Sequence, residues 1–177
     1  MVPLPFGEYL PFAETFPWLA DLIEGPSSFQ AGTEPVIFES EHARIATPIC
    51  YEAILTYVCQ KFESPQLVVN VTNDAWFGDT AASHLHAMLA MVRSAELGVP
   101  MYRSAYTGPS MAIEPHGAVH SQTELYTDVN RVITVRLGTV PTLYRRFGDW
   151  FVLASLLVLI IAGAILPWRR VKTAPER

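Results

Sequence analysis

The longest hydrophobic stretch of the chain lies near its C-terminal end. Residues 150 to 166 read WFVLASLLVLIIAGAIL, without a charged side chain. Trp150 and Trp168 bracket this stretch, as aromatic side chains often do where a helix meets the two surfaces of a membrane. The stretch also lacks the polar face of a helix on a globular domain. The pattern predicts a transmembrane helix over residues 147–168, and the alternative is a helix buried in a protein core.

The charges on either side of this helix predict its orientation. More basic residues follow it than precede it, and basic segments favour the cytoplasmic side of a membrane. The tail at 169–177 is therefore expected in the cytoplasm, and the globular part at 1–144 is expected to face outward, into a periplasm or its equivalent. The N-terminal sequence MVPLPFGEYLPF has no basic segment and no apolar run typical of a signal peptide. Either the C-terminal helix inserts the domain, or the chain lacks its beginning.

The rest of the pattern indicates strands that alternate with helices. A β-branched run, LVVNVT, predicts a buried strand at 67–72. Further strands are predicted at 36–39, 43–49, 101–105, 110–114 and 130–137, and helices at 15–24, 52–62 and 81–97. A turn at Pro115-His116-Gly117 is expected to join two of the strands. This order favours an α/β fold in which helices cover a sheet.

The helix at 81–97 has the clearest pattern. Asp79 is a candidate for its N-terminal cap, and Gly98 for its C-terminal end. Apolar side chains recur at the i, i+3, i+4, i+7 spacing of a helix. These side chains are Leu85, Met88, Leu89, Val92 and Ala95.

Composition narrows the function classes. The 177 residues are 50% hydrophobic and carry a net charge of −5, with 12 Lys and Arg. Such a chain is not disordered, and it lacks the basic surface that a nucleic-acid-binding protein needs. The two cysteines are too few for a disulfide scaffold or a cysteine-built metal site. His84 and His86 lie on different faces of a helix, and no metal or nucleotide motif is present, so we expect no metal and no cofactor.

The segment at 43–62, ARIATPICYEAILTYVCQKF, contains the candidate nucleophile. An apolar strand leads directly to Cys50, and a helix is predicted immediately after it. At a helix N-terminus a thiol is more readily ionised, and free backbone N–H groups can stabilise an oxyanion. Glu52 follows, as a possible proton acceptor or helix-capping carboxylate. The alternative is a small buried cysteine that ends a strand, and Cys59, inside the helix, is expected to serve packing alone.

Two further segments suit a binding site. In VVNVTNDAWFGDT, at 68–80, Asn73 ends a strand, and Trp76 and Phe77 follow it in a loop. Polar and aromatic side chains at the end of a strand are typical of a pocket wall, although they also make ordinary turns. Near the N-terminus, Glu8 lies among apolar and turn residues, where its carboxylate is either exposed or held by a partner.

Together these segments resemble a known family. The sequences PFGEYLPF, ICYE, TNDAWFGD, HLHAMLAMVRSAELGVPMYRSAYTG and TLYRRFGDW, followed by an apolar helix, occur in this order. The chain resembles the C-terminal part of bacterial apolipoprotein N-acyltransferase, a family with a nitrilase-like domain set in a bundle of membrane helices. The resemblance implies a partial nitrilase-like α-β-β-α sandwich followed by one transmembrane helix.

The resemblance also implies a reaction. Cys50 matches the nucleophile of a Glu-Lys-Cys triad, which takes an acyl chain from a phospholipid as a thioester. The enzyme passes this chain to the N-terminal amine of an apolipoprotein at the bacterial inner membrane. Glu8 and Glu52 match additional glutamates near the site, and Tyr51 and Trp76 match residues that line it.

The chain departs from the family pattern in its triad. The family lysine would fall immediately before Met1, and the triad glutamate further upstream, so neither matches a residue here. We therefore expect a C-terminal fragment or a mis-assigned start, with little or no acyl transfer. Two other functions remain open: hydrolysis of an amide or nitrile by Cys50, and a non-catalytic, membrane-anchored module.

Overall fold

The computed structural model describes residues 32–134 and 136–165, together with Phe12, Thr15, Phe16 and Trp18. Six strands form one sheet: β1 (Ile37–Glu39), β2 (Arg44–Ala46), β3 (Leu67–Asn73), β4 (Met101–Tyr106), β5 (Met111–Ile113) and β6 (Val119–Gln122). The helices are α1 (Thr56–Cys59), α2 (Ala81–Leu97), α3 (Leu143–Phe147) and α4 (Trp150–Ile165). Two short 3-10 turns complete the elements, the Cys50 turn (Cys50–Ile54) and the Asp74 turn (Asp74–Phe77).

The sheet is mixed, with its strands in sequence order from β1 to β6. The three central strands, β2, β3 and β4, are parallel, and β1, β5 and β6 add to them as antiparallel neighbours. Because parallel strands point the same way, the loops after β2, β3 and β4 meet at one edge of the sheet. Those loops contain the candidate nucleophile and the aromatic segment that follows β3.

A row of apolar side chains crosses the buried face of the sheet. Ala46 pairs with Val68, Val68 with Met101, and Met101 with Ile113. All four are buried and belong to one core cluster with Cys59 and residues of α2. The structure confirms the strand predicted at 67–72, and the row explains its buried face; the opposite face is partly exposed, with Val71 at 55%.

The same face becomes polar towards the carboxyl ends of the strands. Alternate residues of a strand share a face, so Asn70 and Thr72 follow Val68 on the buried side of β3. Asn70 pairs with Arg103 of β4, and both are buried. The sheet therefore has an apolar base and a buried polar end, and the polar end lies beside the loops that form the candidate site.

The helix predicted at 81–97 is confirmed, but its apolar stripe is not its buried face. Leu85, Met88, Leu89 and Val92 are all exposed, with relative exposures of 43% to 57%. The helix buries a different set: Ser83, His86, Ala87, Ala90, Arg93, Ser94 and Leu97. Ala87 and Ala90 belong to the apolar core cluster against the sheet, and His86 contacts Asp74 and Arg103 at the buried polar end. Helical spacing identified a true apolar stripe, but a stripe that does not face this core.

Several local predictions also need correction. The helix predicted at 52–62 is instead the Cys50 turn followed by the four-residue α1. No strand occurs among the described residues of 130–137, and β6 pairs with β5 across the predicted turn at Pro115-His116-Gly117. Thr80, not Asp79, caps α2 by accepting a hydrogen bond from the backbone of Ala82. Gly98 does end the helix, as predicted. Most of the helix predicted at 15–24 lies outside the described residues.

The C-terminal apolar stretch forms α4, which begins at Trp150, after the separate short helix α3. Its side chains from Phe151 to Ile161 are mostly exposed. The sequence predicted a membrane-spanning helix over 147–168. Within the described residues, no helix has both the length and the apolar character to cross a membrane.

Gly98 offers a test of how tightly the C-terminal segment is packed. Its φ of 64° is left-handed, and a Cβ added there would lie 2.0 Å from the carbonyl oxygen of Val140. We expect Gly98→Ala to lower the free energy of unfolding by about 2–4 kcal/mol, from backbone strain and overpacking together. Chemical denaturation measures it.

Gly98→Asn is the matched control, because asparagine tolerates the left-handed conformation better than alanine does. The Val140 carbonyl would still meet its Cβ, so this variant should be destabilised as well. A Gly98→Asn chain as stable as the unaltered one would contradict the steric account.

Candidate active site

Cys50 lies at the edge of the sheet where the parallel strands end. Ile49 forms an isolated parallel bridge with Val71, which places the next residue beside the carboxyl-terminal part of β3. Cys50 then begins a 3-10 turn with a φ of 50°, in a region that non-glycine residues rarely adopt. Such strained residues cluster at functional sites. The thiol is half-buried and makes no disulfide.

Glu52 braces the Cys50 turn from within. It is 6% exposed, and its Oε2 accepts a 2.8 Å hydrogen bond from the backbone N–H of Ile49. The carboxylate therefore stabilises the residue immediately before the nucleophile. It also borders a cavity of about 340 Å³ whose wall includes Phe38, Ile49 and Tyr57.

The Asp74 turn presents two aromatic side chains. Asn73 caps the turn, with its side-chain oxygen accepting a 3.0 Å hydrogen bond from Ala75 N. Trp76 is 75% exposed, while Phe77 packs edge-on against the ring of His86 at 5.5 Å. Asn73 thus shapes the loop, and the indole of Trp76 is available to a ligand.

Beneath these two turns lies a network that we call the polar cluster, made of Asn70, Thr72, Asp74, His86 and Arg103. Arg103 Nη2 donates to Asp74 Oδ2 at 2.5 Å, and Nη1 donates to Asn70 Oδ1 at 2.8 Å. His86 Nδ1 lies 3.0 Å from Asp74 Oδ1, to which Thr72 Oγ1 also donates. The ion-paired side chains of Arg103 and Asp74 have no exposed surface.

The polar cluster keeps Asp74 ionised. Burial alone would raise the pKa of this carboxyl, but the hydrogen bond from His86 and the charge of Arg103 outweigh it, so the pKa lies below its ordinary value. Gly108, just after β4, leaves room for the carboxylate, because a Cβ there would lie 2.1 Å from Asp74 Oδ2.

The second cysteine has a different environment. Cys59 is 1% exposed, and burial raises the pKa of its thiol to about 12. Its Sγ lies 3.5 Å from the backbone carbonyl of Glu52, so it packs against the Cys50 turn from the core side. This placement agrees with the predicted packing role.

The structure brings together most of the predicted site residues. Cys50, Tyr51 and Glu52 form one turn, and Asn73, Trp76 and Phe77 lie at the end of the neighbouring strand. Glu8 lies outside the described residues. Within the described part of the chain, no group of three or more His, Cys, Asp or Glu side chains is placed to hold a metal ion.

Sequence reasoning missed the polar cluster. His86 was considered only as a metal ligand, the polar residues after β3 were considered as pocket-wall or turn residues, and Asn70 and Arg103 were passed over. A usable signal was present. In VVNVT and MYRSAY, a polar residue interrupts an apolar run at a position that shares a face with buried neighbours.

A strained cysteine at the carboxyl edge of a helix-covered sheet defines a candidate nucleophile site in an α/β fold. Comparison with protein families matches residues 10–140 to the carbon-nitrogen hydrolase model. The chain belongs to the carbon-nitrogen hydrolase family, and its fold is the nitrilase-like α/β fold with a mixed sheet.

Among proteins of this family, the chain is similar in sequence to apolipoprotein N-acyltransferases. An apolipoprotein N-acyltransferase from Geobacter metallireducens is 32% identical over 164 residues, which are 92% of this chain and 32% of the relative. One from Bradyrhizobium diazoefficiens is 37% identical, over 94% of this chain and 31% of the relative. These relatives confirm the resemblance inferred from the motifs. The chain spans about a third of the length of the relatives that it matches.

Solved structures support the fold. An amidase from Nesterenkonia sp. AN1, with acrylamide added to its active-site cysteine, has a TM-score of 0.50 and 13% identity. The match covers 74% of this chain and 52% of the amidase. The same amidase in complex with butyramide also gives 0.50, at 14% identity over 75% of this chain and 53% of the amidase. At these identities the likeness concerns the fold.

The ion pair of Asp74 generates a pH prediction. Because the folded pKa lies below the ordinary value of 3.8, the ion pair stabilises the chain fully above that value and is lost as the pH falls through the folded pKa. Asp74→Asn should remove this acid-dependent part and flatten the stability curve below pH 4. At pH 7 it should cost about 3–5 kcal/mol, because the Arg103 charge stays buried without its partner.

Urea denaturation between pH 3 and pH 7 measures both effects. Asp79→Asn is the control, because Asp79 is exposed in the loop before α2 and should leave the curve unchanged. Equal curves for the two variants would contradict the role assigned to Asp74.

Proposed function

We propose that this chain supplies the nucleophile of an N-acyltransferase that acts on lipoproteins. The observation that carries the proposal is the strained, half-buried Cys50 at the carboxyl edge of a carbon-nitrogen hydrolase fold. The apolipoprotein N-acyltransferases that match over nine-tenths of the chain supply the substrate class. The donor is a phospholipid, and the acceptor is the N-terminal amine of a lipoprotein.

The proposed reaction has two steps. The Cys50 thiol gives up its proton and its sulfur attacks an ester carbonyl of the phospholipid: an S–C bond forms, the ester C–O bond breaks, and the lysophospholipid leaves as an alcohol that carries the proton. The acceptor amine then attacks the thioester carbonyl: an N–C bond forms, the S–C bond breaks, and the amine proton returns to the sulfur of Cys50. Each step passes through an oxyanion that nearby donors must stabilise.

The neighbours of Cys50 receive roles within this proposal. Glu52 fixes the backbone before the nucleophile, in keeping with its buried hydrogen bond to Ile49. Trp76, Phe77, Tyr51 and Asn73 form the wall that meets the substrate, and Trp76 is the most exposed of the apolar side chains there. Glu8 is a further candidate near the site, from its match to the family motif.

Thioester formation is the direct test. The full chain is incubated with phosphatidylethanolamine vesicles, and Cys50 is examined by peptide mass spectrometry. We expect an acyl adduct on Cys50 that neutral hydroxylamine removes. A lipopeptide with a free N-terminal amine should convert the adduct to an amide.

Cys50→Ala should abolish the adduct, whereas the control Cys59→Ala should retain it. If Cys50 reacts with iodoacetamide but never acquires an acyl chain, the acyl-transfer proposal fails. Release of ammonia from butyramide by the same chain would favour the second candidate, an amidase, which membership of the carbon-nitrogen hydrolase family supports.

We also propose that α4 lies in a bacterial inner membrane. Its apolar side chains, among them Phe151, Leu153 and Leu159, are 66% to 69% exposed, and solvent-exposed apolar patches of this kind mark interaction surfaces. The globular part, residues 1–144, would lie on the periplasmic side, and the basic tail at 169–177 on the cytoplasmic side.

Vesicle flotation tests the membrane proposal. The unaltered chain should float with vesicles of phosphatidylethanolamine and phosphatidylglycerol, and Leu157→Glu should reduce the floated fraction severalfold, because a charge in hydrocarbon is costly. Leu85→Glu places the same charge on the exposed face of α2 and serves as the control. Equal flotation of all three chains would contradict a membrane role for α4.

A further inference from the structure

Asn70 is a polar residue in a buried strand, and its side chain reaches the nucleophile turn. Its Nδ2 donates to the carbonyl oxygen of Pro48 at 2.9 Å and to that of Cys50 at 3.1 Å. The side chain has no exposed surface. One amide group therefore connects β3 to the two residues that flank Ile49, which are Pro48 and Cys50.

Arg103 determines which way this amide points. Its Nη1 donates to Asn70 Oδ1 at 2.8 Å, so the oxygen faces Arg103 and the NH₂ group faces the Cys50 turn. A flipped amide would set its NH₂ group against the guanidinium and its oxygen against two carbonyls. The guanidinium charge therefore selects the orientation that holds the turn.

The backbone at Cys50 needs such support. A φ of 50° is unfavourable for a residue with a side chain, and it persists where the surroundings impose it. Two restraints act on the turn. Glu52 holds the N–H of Ile49 on one side, and Asn70 holds the carbonyls of Pro48 and Cys50 on the other.

We propose that Arg103 and Asn70 are positioning residues for Cys50: the guanidinium orients the amide, and the amide fixes the backbone that aims the thiol at a carbonyl carbon. Because Arg103 Nη2 also pairs with Asp74, the first residue of the Asp74 turn, one side chain sets the nucleophile and the Trp76 loop relative to each other. This inference rests on the proposed role of Cys50 as the nucleophile.

The test compares two reagents that modify any accessible thiol. With iodoacetamide, the thiolate attacks the CH₂ carbon and displaces iodide, and this reaction requires little more than an accessible thiol. p-Nitrophenyl acetate requires attack on a carbonyl: the S–C bond forms, the C–O bond breaks, and p-nitrophenolate leaves. Carbonyl attack is the more sensitive to the exact placement of the thiol, since a misplacement of about 1 Å can cost on the order of a hundredfold in rate. The ratio of the two rates at Cys50, followed by peptide mass spectrometry in the full chain, reports aim separately from access.

Asn70→Asp keeps the oxygen that faces Arg103 and removes both donors to the turn. We expect it to lower the ratio of acetylation to alkylation at Cys50 by about tenfold or more. Arg103→Lys keeps the charge but loses the fork that reaches Asn70 and Asp74 together, and it should lower the ratio similarly. If Asn70→Asp does not fold, Asn70→Ser, which adds no charge, is used to test the positioning role of Asn70 instead.

Ser94→Ala is the matched control. Ser94 is buried, and its Oγ lies 2.6 Å from the carbonyl oxygen of Val99 and 3.0 Å from that of Glu114, at the far end of α2. Its loss should reduce stability and leave the ratio at Cys50 unchanged. If the Asn70 and Arg103 variants also leave the ratio unchanged, they are structural residues and the inference is overturned.

The result is separable from the fate of the acyltransferase proposal. Phospholipid acylation of Cys50 with an unchanged ratio in the variants would overturn the positioning role alone. A lowered ratio in a chain that never accepts a phospholipid acyl chain would overturn the acyltransferase function alone.

Discussion

The buried ion pair between Arg103 and Asp74 is the interaction on which the candidate site depends. Neither side chain has any exposed surface, so each charge has lost its hydration and relies on its partners. Asn70 and His86 complete the set of neighbours, and Thr72 adds a donor to Asp74. The ionised carboxyl follows from this arrangement, since its partners outweigh the burial that would otherwise neutralise it. Gly108, after β4, leaves the room that the carboxylate of Asp74 occupies.

Strand direction and residue alternation explain why the pair lies where it does. The apolar row Ala46, Val68, Met101 and Ile113 anchors α1 and α2 against the base of the sheet. Two residues further along, the same face presents Asn70 and Arg103, directly beneath the loops at the ends of β2, β3 and β4. The hydrophobic core thus holds the strands together, and the strands place the charged side chains of Arg103 and Asp74 next to the sharp turn at Cys50. The apolar row of the sheet therefore stabilises the fold, and the polar row next to it on the same face supports the candidate site.

Many of the helices and strands could be predicted from the local sequence pattern. The features that could not be predicted depend on contacts between residues that are far apart in the sequence. β3 and the ends of α2 were predictable, because a β-branched run and a glycine in a left-handed conformation leave clear signals. Cys50 stood out for its place between a predicted strand and a predicted helix, although the structure has a short 3-10 turn where the helix was expected. The buried face of α2 could not be identified from its own sequence, because its large apolar side chains are exposed and its buried face mixes alanines with polar side chains. Periodicity cannot show which face of a helix is buried when its apolar stripe faces away from the core. His86 and Arg93 were therefore not recognised as buried. The short turn at Cys50 likewise reflects a tertiary restraint, since Asn70 holds its backbone from a strand twenty residues away.

The guanidinium of Arg103 contacts Asn70 and Asp74, and its Nη2 also lies 3.1 Å from His86 Nδ1. This sharing bears on how the sequence can change over generations. A substitution at position 103 alters the environment of three other side chains at once, so a tolerated change there requires compensation at positions 70, 74 and 86. These four sites should therefore vary as a group among related chains, with intermediates that are less fit than either end point. The outer stripe of α2 carries no such linkage within the described fold. Leu85, Met88, Leu89 and Val92 are free to drift one at a time wherever no partner covers them, and their rates of divergence will reveal whether one does.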